Sequence, residues 1–227
     1  MSRLSSNFDN EAYDYLIDEI NFIYERFDDF IAAADTMAKN ESERIVEKID
    51  EWNNKYPSHE FSGFENHENE FIRFLSFANH IDSAIMILAY STFEKSLKMV
   101  CTTISKEVKS NLLPDDFAGK GIMQSKKFLE KVLIFDFTEV SKEWELITLY
   151  AYLRNKIVHW DSKVSVKAGT SLNDIKEVNS IKKFQLAEIS EEGKISLSKE
   201  NNKNFVRISV GILNSIVENI RDKKGTH

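Results

Sequence analysis

Turn-forming residues are scarce in this chain, and their scarcity limits the folds open to it. Two prolines and seven glycines are spread over 227 residues, which is too few for the many tight turns of an all-β protein. Long stretches are instead rich in Leu, Ile, Phe, Glu and Lys, a composition that favours helices. With 42% hydrophobic and 30% charged residues, we predict a soluble, mainly α-helical protein with one core, or with one core and an extension.

The first helix is predicted from an apolar stripe whose members alternate in steps of four and three residues. The stripe comprises Leu16, Ile20, Ile23, Phe27, Phe30, Ala34 and Met37. It either packs on its own domain or pairs with another subunit. After a phase shift the apolar pattern continues through Trp52, and Pro57 with Gly63 is expected to end the helix.

Three more helices are predicted before residue 161. A second long helix is expected over residues 67–109, and a shorter one over residues 125–134. Ser141 is the expected N-cap of the next helix, with Glu143 and Glu145 in a first turn where the helix dipole favours negative charge. That helix runs into the segment LRNKIVHW, residues 153–160.

The pattern changes after this segment. Residues 161–180 are polar and irregular, and the alternation that follows predicts a small β-hairpin over about 184–198. Helical spacing returns over residues 205–220. We therefore divide the chain into an acidic N-terminal helical extension, residues 1–63, and a helical bundle, residues 64–227, into which the hairpin is inserted before the C-terminal helix.

Several classes of protein are excluded by what the sequence lacks. The densest apolar run, residues 84–90, is too short to span a bilayer, and we expect no secretory signal. The single Cys101 cannot form an internal disulfide and lies in the apolar pattern of a core helix, which fits a reducing cytoplasm. No glycines have the spacing of a phosphate-binding loop, and no histidine follows a glutamate by three residues as di-iron bundles require. We expect a cytoplasmic protein with no metal and no cofactor.

Charge is distributed unevenly along the chain. The net charge is −7, but residues 1–70 hold 6 basic and 18 acidic residues, whereas residues 154–183 hold 7 basic and 3 acidic ones. An anionic ligand near residues 153–160 is therefore electrostatically allowed, although the N-terminal part would repel it.

Arg154, Asn155 and His159 are the polar residues that stand out at the end of the apolar run. On a helix, Asn155 and His159 share a face, whereas Arg154 and His159 differ by about 140°. Arg154 and His159 could converge if the helix ends or bends near His159, if the arginine side chain curls round, or if a second copy supplies one of them across a twofold axis.

These residue types suit the cleavage of RNA. Arginine offers a bidentate fork to phosphate oxygens, and histidine transfers protons at cellular pH. The 2′-hydroxyl of RNA is a nucleophile already present in the substrate, so a protein need only move protons and stabilise added negative charge. No metal is required.

The segment from Arg154 to His159 resembles the signature of the HEPN superfamily (higher eukaryotes and prokaryotes nucleotide-binding), in which four to six residues lie between an arginine and the histidine that follows it. Residues 85–101 also resemble the first core helix of HEPN proteins in phage-defence and toxin systems. The resemblance implies a dimeric helical bundle that acts as a metal-independent endoribonuclease on RNA. It implies catalytic roles for Arg154, His159 and Asn155, and it matches Glu94 to an acidic or polar position facing the site. It also implies an antitoxin or other regulatory partner.

Two other functions remain open from the sequence. The acidic first 70 residues suit a non-catalytic HEPN module that binds a nucleotide or a partner protein through the same cleft. The N-terminal apolar stripe suits an assembly protein, for which Arg154 would be dispensable.

Some toxin members of the HEPN superfamily carry a tyrosine two residues after the histidine, and their antitoxin modifies this tyrosine. This chain has Asp161 at that position.

Overall fold

The structure is a computed structural model and describes residues 4–58, 61–166 and 170–225. Within these ranges the regular elements are six α-helices, two short 3-10 turns and one antiparallel hairpin. The helices are α1 (Leu4–Lys55), α2 (Gly63–Glu107), α3 (Ile122–Lys131), α4 (Ser141–His159), α5 (Lys176–Lys183) and α6 (Lys199–Gly225). The hairpin pairs β1 (Glu188–Ile189) with β2 (Ile195–Ser196). The predicted mainly α-helical class is confirmed.

α1 packs along α2 and α6 through one face. The buried residues of this face are Tyr13, Leu16, Ile20, Tyr24, Phe27 and Ile31, and they belong to the same hydrophobic core as the other long helices. Phe30 and Met37, the outer members of the predicted stripe, are 47% and 64% exposed. The stripe therefore packs mainly on its own chain. The predicted division at residue 63, which falls where α2 begins, stays a prediction.

A capping box sets the start of α2. The Ser62 N–H donates to Glu65 Oε2 at 2.6 Å, and the Glu65 N–H donates to Ser62 Oγ at 3.3 Å, which satisfies donors that the helix itself leaves unpaired. The Gly63 N–H donates to Asn53 Oδ1 at 2.6 Å, and a Cβ at residue 63 would collide with the carbonyl oxygen of Ile49. Gly63 therefore begins α2 in close contact with α1, rather than ending α1.

The C-terminal half of α2 is the centre of the bundle. Its inner residues Phe93, Leu97, Val100, Cys101 and Ile104 are fully buried, and α2 packs against α1, α3, α4 and α6. Burial raises the pKa of the Cys101 thiol to about 12, so this side chain behaves as the small core residue that the sequence predicted.

α4 follows the predicted pattern but begins differently. Trp144, Ile147, Tyr150 and Leu153 are buried as expected. Ser141 is not the N-cap: Val140 precedes the helix, and Ser141 is its first residue. The Ser141 N–H is already directed to the carbonyl oxygen of Thr138 at 3.4 Å, in the turn before the helix.

The segment after α4 contains a helix that its composition does not indicate. Residues 161–180 were predicted to be irregular, but α5 begins at Lys176 and buries only Val178 and Ile181. Two apolar residues three apart are too few to produce a detectable helical period. The hairpin is present with two residue pairs, and α6 begins at Lys199, six residues before the predicted start.

By length and composition alone, α2 could cross a membrane, and it is the one helix of the described ranges that could. No membrane-spanning segment is expected from the apolar runs of the sequence. The stretch that meets the criterion is 17% buried, and a single such helix is weak evidence of a membrane span, because core helices of soluble proteins meet the same criterion. The criterion therefore does not assign α2 to a bilayer.

Phe205 closes the core between three helices, so its removal tests the fold. We expect Phe205→Ala to lower the free energy of unfolding by about 3–5 kcal/mol, because it leaves a cavity among buried aromatic rings. Urea denaturation measures this loss. The exposed Phe22 of α1 provides a matched control, and Phe22→Ala should change stability by no more than about 0.5 kcal/mol. Equal losses in the two variants would contradict this account of the core.

Candidate functional site

The candidate site lies on the last two turns of α4. The helix continues without a break through His159 and ends at Trp160, whose N–H donates to the carbonyl oxygen of Lys156 at 3.1 Å. Asn155 and His159 are both exposed, as expected for residues on one helix face. Arg154 is half-buried and is turned from His159 by about 140° around the helix.

Arg154 lies against α2 rather than against His159. Its Cζ is 6.0 Å from the centroid of the Tyr90 ring, within the range of a cation–π contact. Its Nη1 donates to Asn155 Oδ1 at 3.0 Å. Its Nε is buried and has no hydrogen-bond partner among the described residues. This guanidinium therefore keeps unused hydrogen-bonding capacity next to an aromatic ring.

Glu94 lies one helical turn after Tyr90 and forms part of the same cluster. Burial raises the pKa of the Glu94 carboxyl, and the positive charge of Arg154 partly opposes this rise. No direct ion pair joins Glu94 to Arg154 among the described salt bridges. The pKa of the Tyr90 hydroxyl is also raised, by burial first and then by the charge of Glu94. The structure thus brings Glu94 and Arg154 into one electrostatic cluster, and a role of Glu94 in the site stays a prediction.

Gly121 leaves room for the Glu94 side chain. Its φ is +55°, and a Cβ at this position would overlap Glu94 Oε1. Beside Glu94 is a cavity of about 200 Å³ that Lys98, Asp115 and Gln124 also line. A glycine is needed here both for the backbone conformation and for the space.

His159 is not brought to Arg154 within one chain. Its imidazole forms no hydrogen bond or ion pair with any residue in the described ranges. α4 does not bend before His159, and the Arg154 side chain contacts Tyr90 and Asn155 instead of curling toward the histidine. Of the three arrangements that the sequence left open, a second copy is the one with which this geometry is compatible.

Sequence reasoning missed two aromatic residues of this region. Tyr90 supports Arg154, and it could have been found because it precedes Glu94 by one helical turn. Trp160 is 54% exposed, and Lys156 Nζ lies 5.0 Å from its ring centroid and 5.3 Å from that of Tyr152. An exposed indole beside an ammonium group is a surface on which a nucleic-acid base can stack.

The residues that the structure describes include no cluster of three or more His, Cys, Asp or Glu side chains able to hold a metal ion. No family model, no curated protein and no solved structure is significantly similar to this chain. The roles assigned to Arg154, Asn155, His159 and Glu94 therefore stay predictions.

The raised pKa of Glu94 makes a prediction about stability. Above its ordinary pKa of 4.5 the unfolded state loses this proton more readily than the native state does, so the ionised carboxylate lowers stability as pH rises through that range. We expect Glu94→Gln to raise the melting temperature by a few degrees at most at neutral pH, since water screens a half-buried group.

The gain should disappear well below pH 4.5, where Glu94 is protonated in both states. Differential scanning calorimetry at several pH values measures the effect. Glu145→Gln, which changes an exposed carboxylate of α4, is the matched control and should show no such gain. A lower melting temperature for Glu94→Gln at neutral pH would mean that the attraction between Glu94 and Arg154 outweighs desolvation.

Proposed function

We propose that this protein is a metal-independent endoribonuclease of the HEPN type, active as a homodimer and serving as the toxic effector of an antiphage or toxin–antitoxin system. The observation that carries the proposal is the state of Arg154. Arg44 bonds Glu41 and Glu70, and Arg221 bonds Asp14, whereas Arg26, Arg73 and Arg207 are exposed to solvent.

Arg154 has no such carboxylate partner within the described ranges. It is half-buried, its Nε is unpaired, and it lies one residue from the exposed Asn155 and five from the exposed His159. A guanidinium kept in this state offers hydrogen bonds and positive charge to a phosphate, and a partly dehydrated site strengthens both. The exposed Trp160 beside Lys156 supplies a stacking surface for a base at the same helix end.

In this reaction the 2′-hydroxyl oxygen attacks the neighbouring phosphorus, and the bond from phosphorus to the 5′-oxygen breaks. One imidazole accepts the proton of the 2′-hydroxyl, and a proton is delivered to the leaving 5′-oxygen, so that the products are a 2′,3′-cyclic phosphate and a 5′-hydroxyl. His159 serves in proton transfer. Arg154 stabilises the added negative charge of the transition state. Asn155 orients Arg154, as its hydrogen bond to Nη1 indicates.

We include a homodimer in the proposal because Arg154 and His159 of the same chain lie on different faces of α4. An interface related by a twofold axis places the α4 ends of two chains together, so that Arg154 of one copy and His159 of the other line one cleft. Val158, which is 42% exposed at this helix end, gives such an interface apolar surface to bury.

A non-catalytic module is the second candidate, and one observation favours it. The half-buried Glu94 carboxylate lies beside Arg154 and would repel a phosphate bound there. Under this alternative the cleft binds a nucleotide or a partner protein without cleavage, and ligand binding would raise the melting temperature while RNA remains intact.

The first test is incubation of the purified protein with total RNA in excess EDTA. We expect the wild type to cleave RNA and leave 2′,3′-cyclic phosphate ends, and we expect His159→Ala and Arg154→Ala to be slower by about 10²–10⁴-fold. Arg26→Ala is the matched control, because Arg26 is exposed on α1 and contacts only the Phe22 ring among the contacts described.

Cleavage by every variant would mean that the site lies elsewhere. Intact RNA with the wild type, together with a rise in melting temperature on adding nucleotide, would favour the non-catalytic module.

A mixing experiment tests whether the site is shared between chains. Arg154→Ala and His159→Ala, each inactive alone, should regain up to about a quarter of wild-type activity after subunit exchange, because half of the dimers are then mixed and each has one intact site. The measurement is the RNA cleavage rate of the mixture against that of each variant. Activity that stays at the level of the single variants would place Arg154 and His159 in the same chain's site.

A further inference from the structure

A second cleft begins two residues beyond His159. It lies between the N-terminal half of α2 and the turn that joins α4 to the hairpin, and it has a volume of about 520 Å³. We call it the α2–hairpin cleft and define it by Leu75, Asn79, His80, Asp161 and Lys194. Its volume falls within the range of roughly 300–1,000 Å³ that small-molecule sites occupy.

The wall next to His159 is held in an unusual backbone conformation. Asp161 and Ser162 have φ values of +49° and +56°, which residues with a Cβ adopt at some cost. The conformation is held by the hairpin, since the carbonyl oxygen of Ser162 accepts from the Ile195 N–H at 2.7 Å and Val164 N–H donates to the Gly193 carbonyl oxygen at 2.8 Å. These hydrogen bonds hold the turn that follows His159 against β2.

Several polar groups of this cleft can form further hydrogen bonds or ionic contacts with a ligand. Asn79 Oδ1 is buried and has no hydrogen-bond partner among the described residues. His80 Nδ1 donates to the carbonyl oxygen of Ser76 at 2.5 Å, so its Nε2 is the ring atom left for another group. Lys194 is exposed and forms no ion pair in the described part of the chain. An unpaired buried acceptor costs stability until a donor reaches it.

The apolar side of the cleft is also uncovered. Ile72 and Leu75 line it and are 54% and 51% exposed, which gives a flat aromatic ring a surface to cover. A larger cavity on the other side of the hairpin lacks these features, because its Asn201 side chain already bonds the Gln185 carbonyl oxygen and Ser198.

We propose that the α2–hairpin cleft binds one nucleotide of single-stranded RNA, next to the phosphate that is cleaved at the end of α4. The base covers Ile72 and Leu75, and its edge donates to Asn79. The Asp161 carboxylate accepts from a ribose hydroxyl, which distinguishes RNA from DNA. Lys194 contacts the adjoining phosphate, and His80 does so through Nε2 when that nitrogen carries a proton. This inference rests on the proposed nuclease function, since that function supplies the strand whose neighbouring nucleotide enters the cleft.

The test measures binding of a labelled single-stranded oligoribonucleotide by fluorescence anisotropy, in EDTA and in the His159→Ala background, which is expected not to cleave. Asn79→Leu should weaken binding by about tenfold, since base–edge contacts carry roughly 1–3 kcal/mol. Its melting temperature should not fall, because the replaced oxygen has no bond to lose. Lys194→Gln should weaken binding and reduce the salt dependence by about one phosphate contact. Lys131→Gln, an exposed lysine at the end of α3, is the matched control and should bind as the parent protein does.

Failure of this inference and failure of the nuclease proposal give different results. If the wild type cleaves RNA and Asn79→Leu does so with unchanged KM, the cleft does not bind substrate and the nuclease proposal stands. If nothing is cleaved but binding still depends on Asn79 and Lys194, the cleft binds RNA in a protein that is not a nuclease. Equal binding of a DNA strand would overturn the role of Asp161, and binding unaffected in all cleft variants would overturn the inference.

Discussion

The contact of Phe205 with three aromatic rings holds together the helices that carry the candidate site. Phe205, on α6, lies 5.9 Å from the Tyr90 ring in a stacked arrangement and 4.8 Å from the Tyr150 ring, edge to face. Tyr90 supports Arg154, and Tyr150 precedes Arg154 by one turn of α4. Because one buried ring fixes both tyrosines, the packing of the core also fixes how the guanidinium lies on α2. The precision of the site therefore comes from rigid helices rather than from a loop.

This arrangement leaves opposite charges half-buried without a direct bond between them. Desolvation disfavours the ionised form of Glu94, and the distance to Arg154 leaves the Coulomb attraction too weak to compensate fully. A chain selected only for stability would be as well served by apolar side chains at both positions. Residues kept in such an unfavourable state are candidates for function, and here they lie beside the exposed Asn155 and His159 at the end of the same helix.

The parts of this structure that the sequence predicts are those with repeated apolar spacing. α1, α2 and α4 each present a long buried face, so their positions follow from residues such as Leu16, Phe93 and Leu153. α5 was missed because its eight residues bury only Val178 and Ile181. The role of Ser141 was predicted wrongly because the Trp144 N–H donates to the Val140 carbonyl oxygen, so Val140 is the N-cap and Ser141 already lies inside the helix.

The part of the candidate site that lies on one helix was predictable from the sequence, and the contacts between elements were not. Arg154, Asn155 and His159 are close in sequence, so their faces on α4 follow from helix geometry alone. The approach of Glu94 to Arg154 joins two helices, and it was available only through the family resemblance. The α2–hairpin cleft was not predictable, because it brings Asn79 and Lys194 together over more than a hundred residues and depends on the φ values of Asp161 and Ser162.

Under the proposed function, the acidic N-terminal helix need not prevent RNA from reaching the end of α4. α1 packs on α2 and α6, and α4 packs on the same two helices without extensive contact with α1. Charges exposed to solvent are largely screened beyond about 8 Å at physiological salt. The segment that begins at the candidate site, residues 154–183, holds four more basic than acidic residues. The net charge of the whole chain is thus a poor guide to its partner, because its acidic and basic residues are concentrated in different segments.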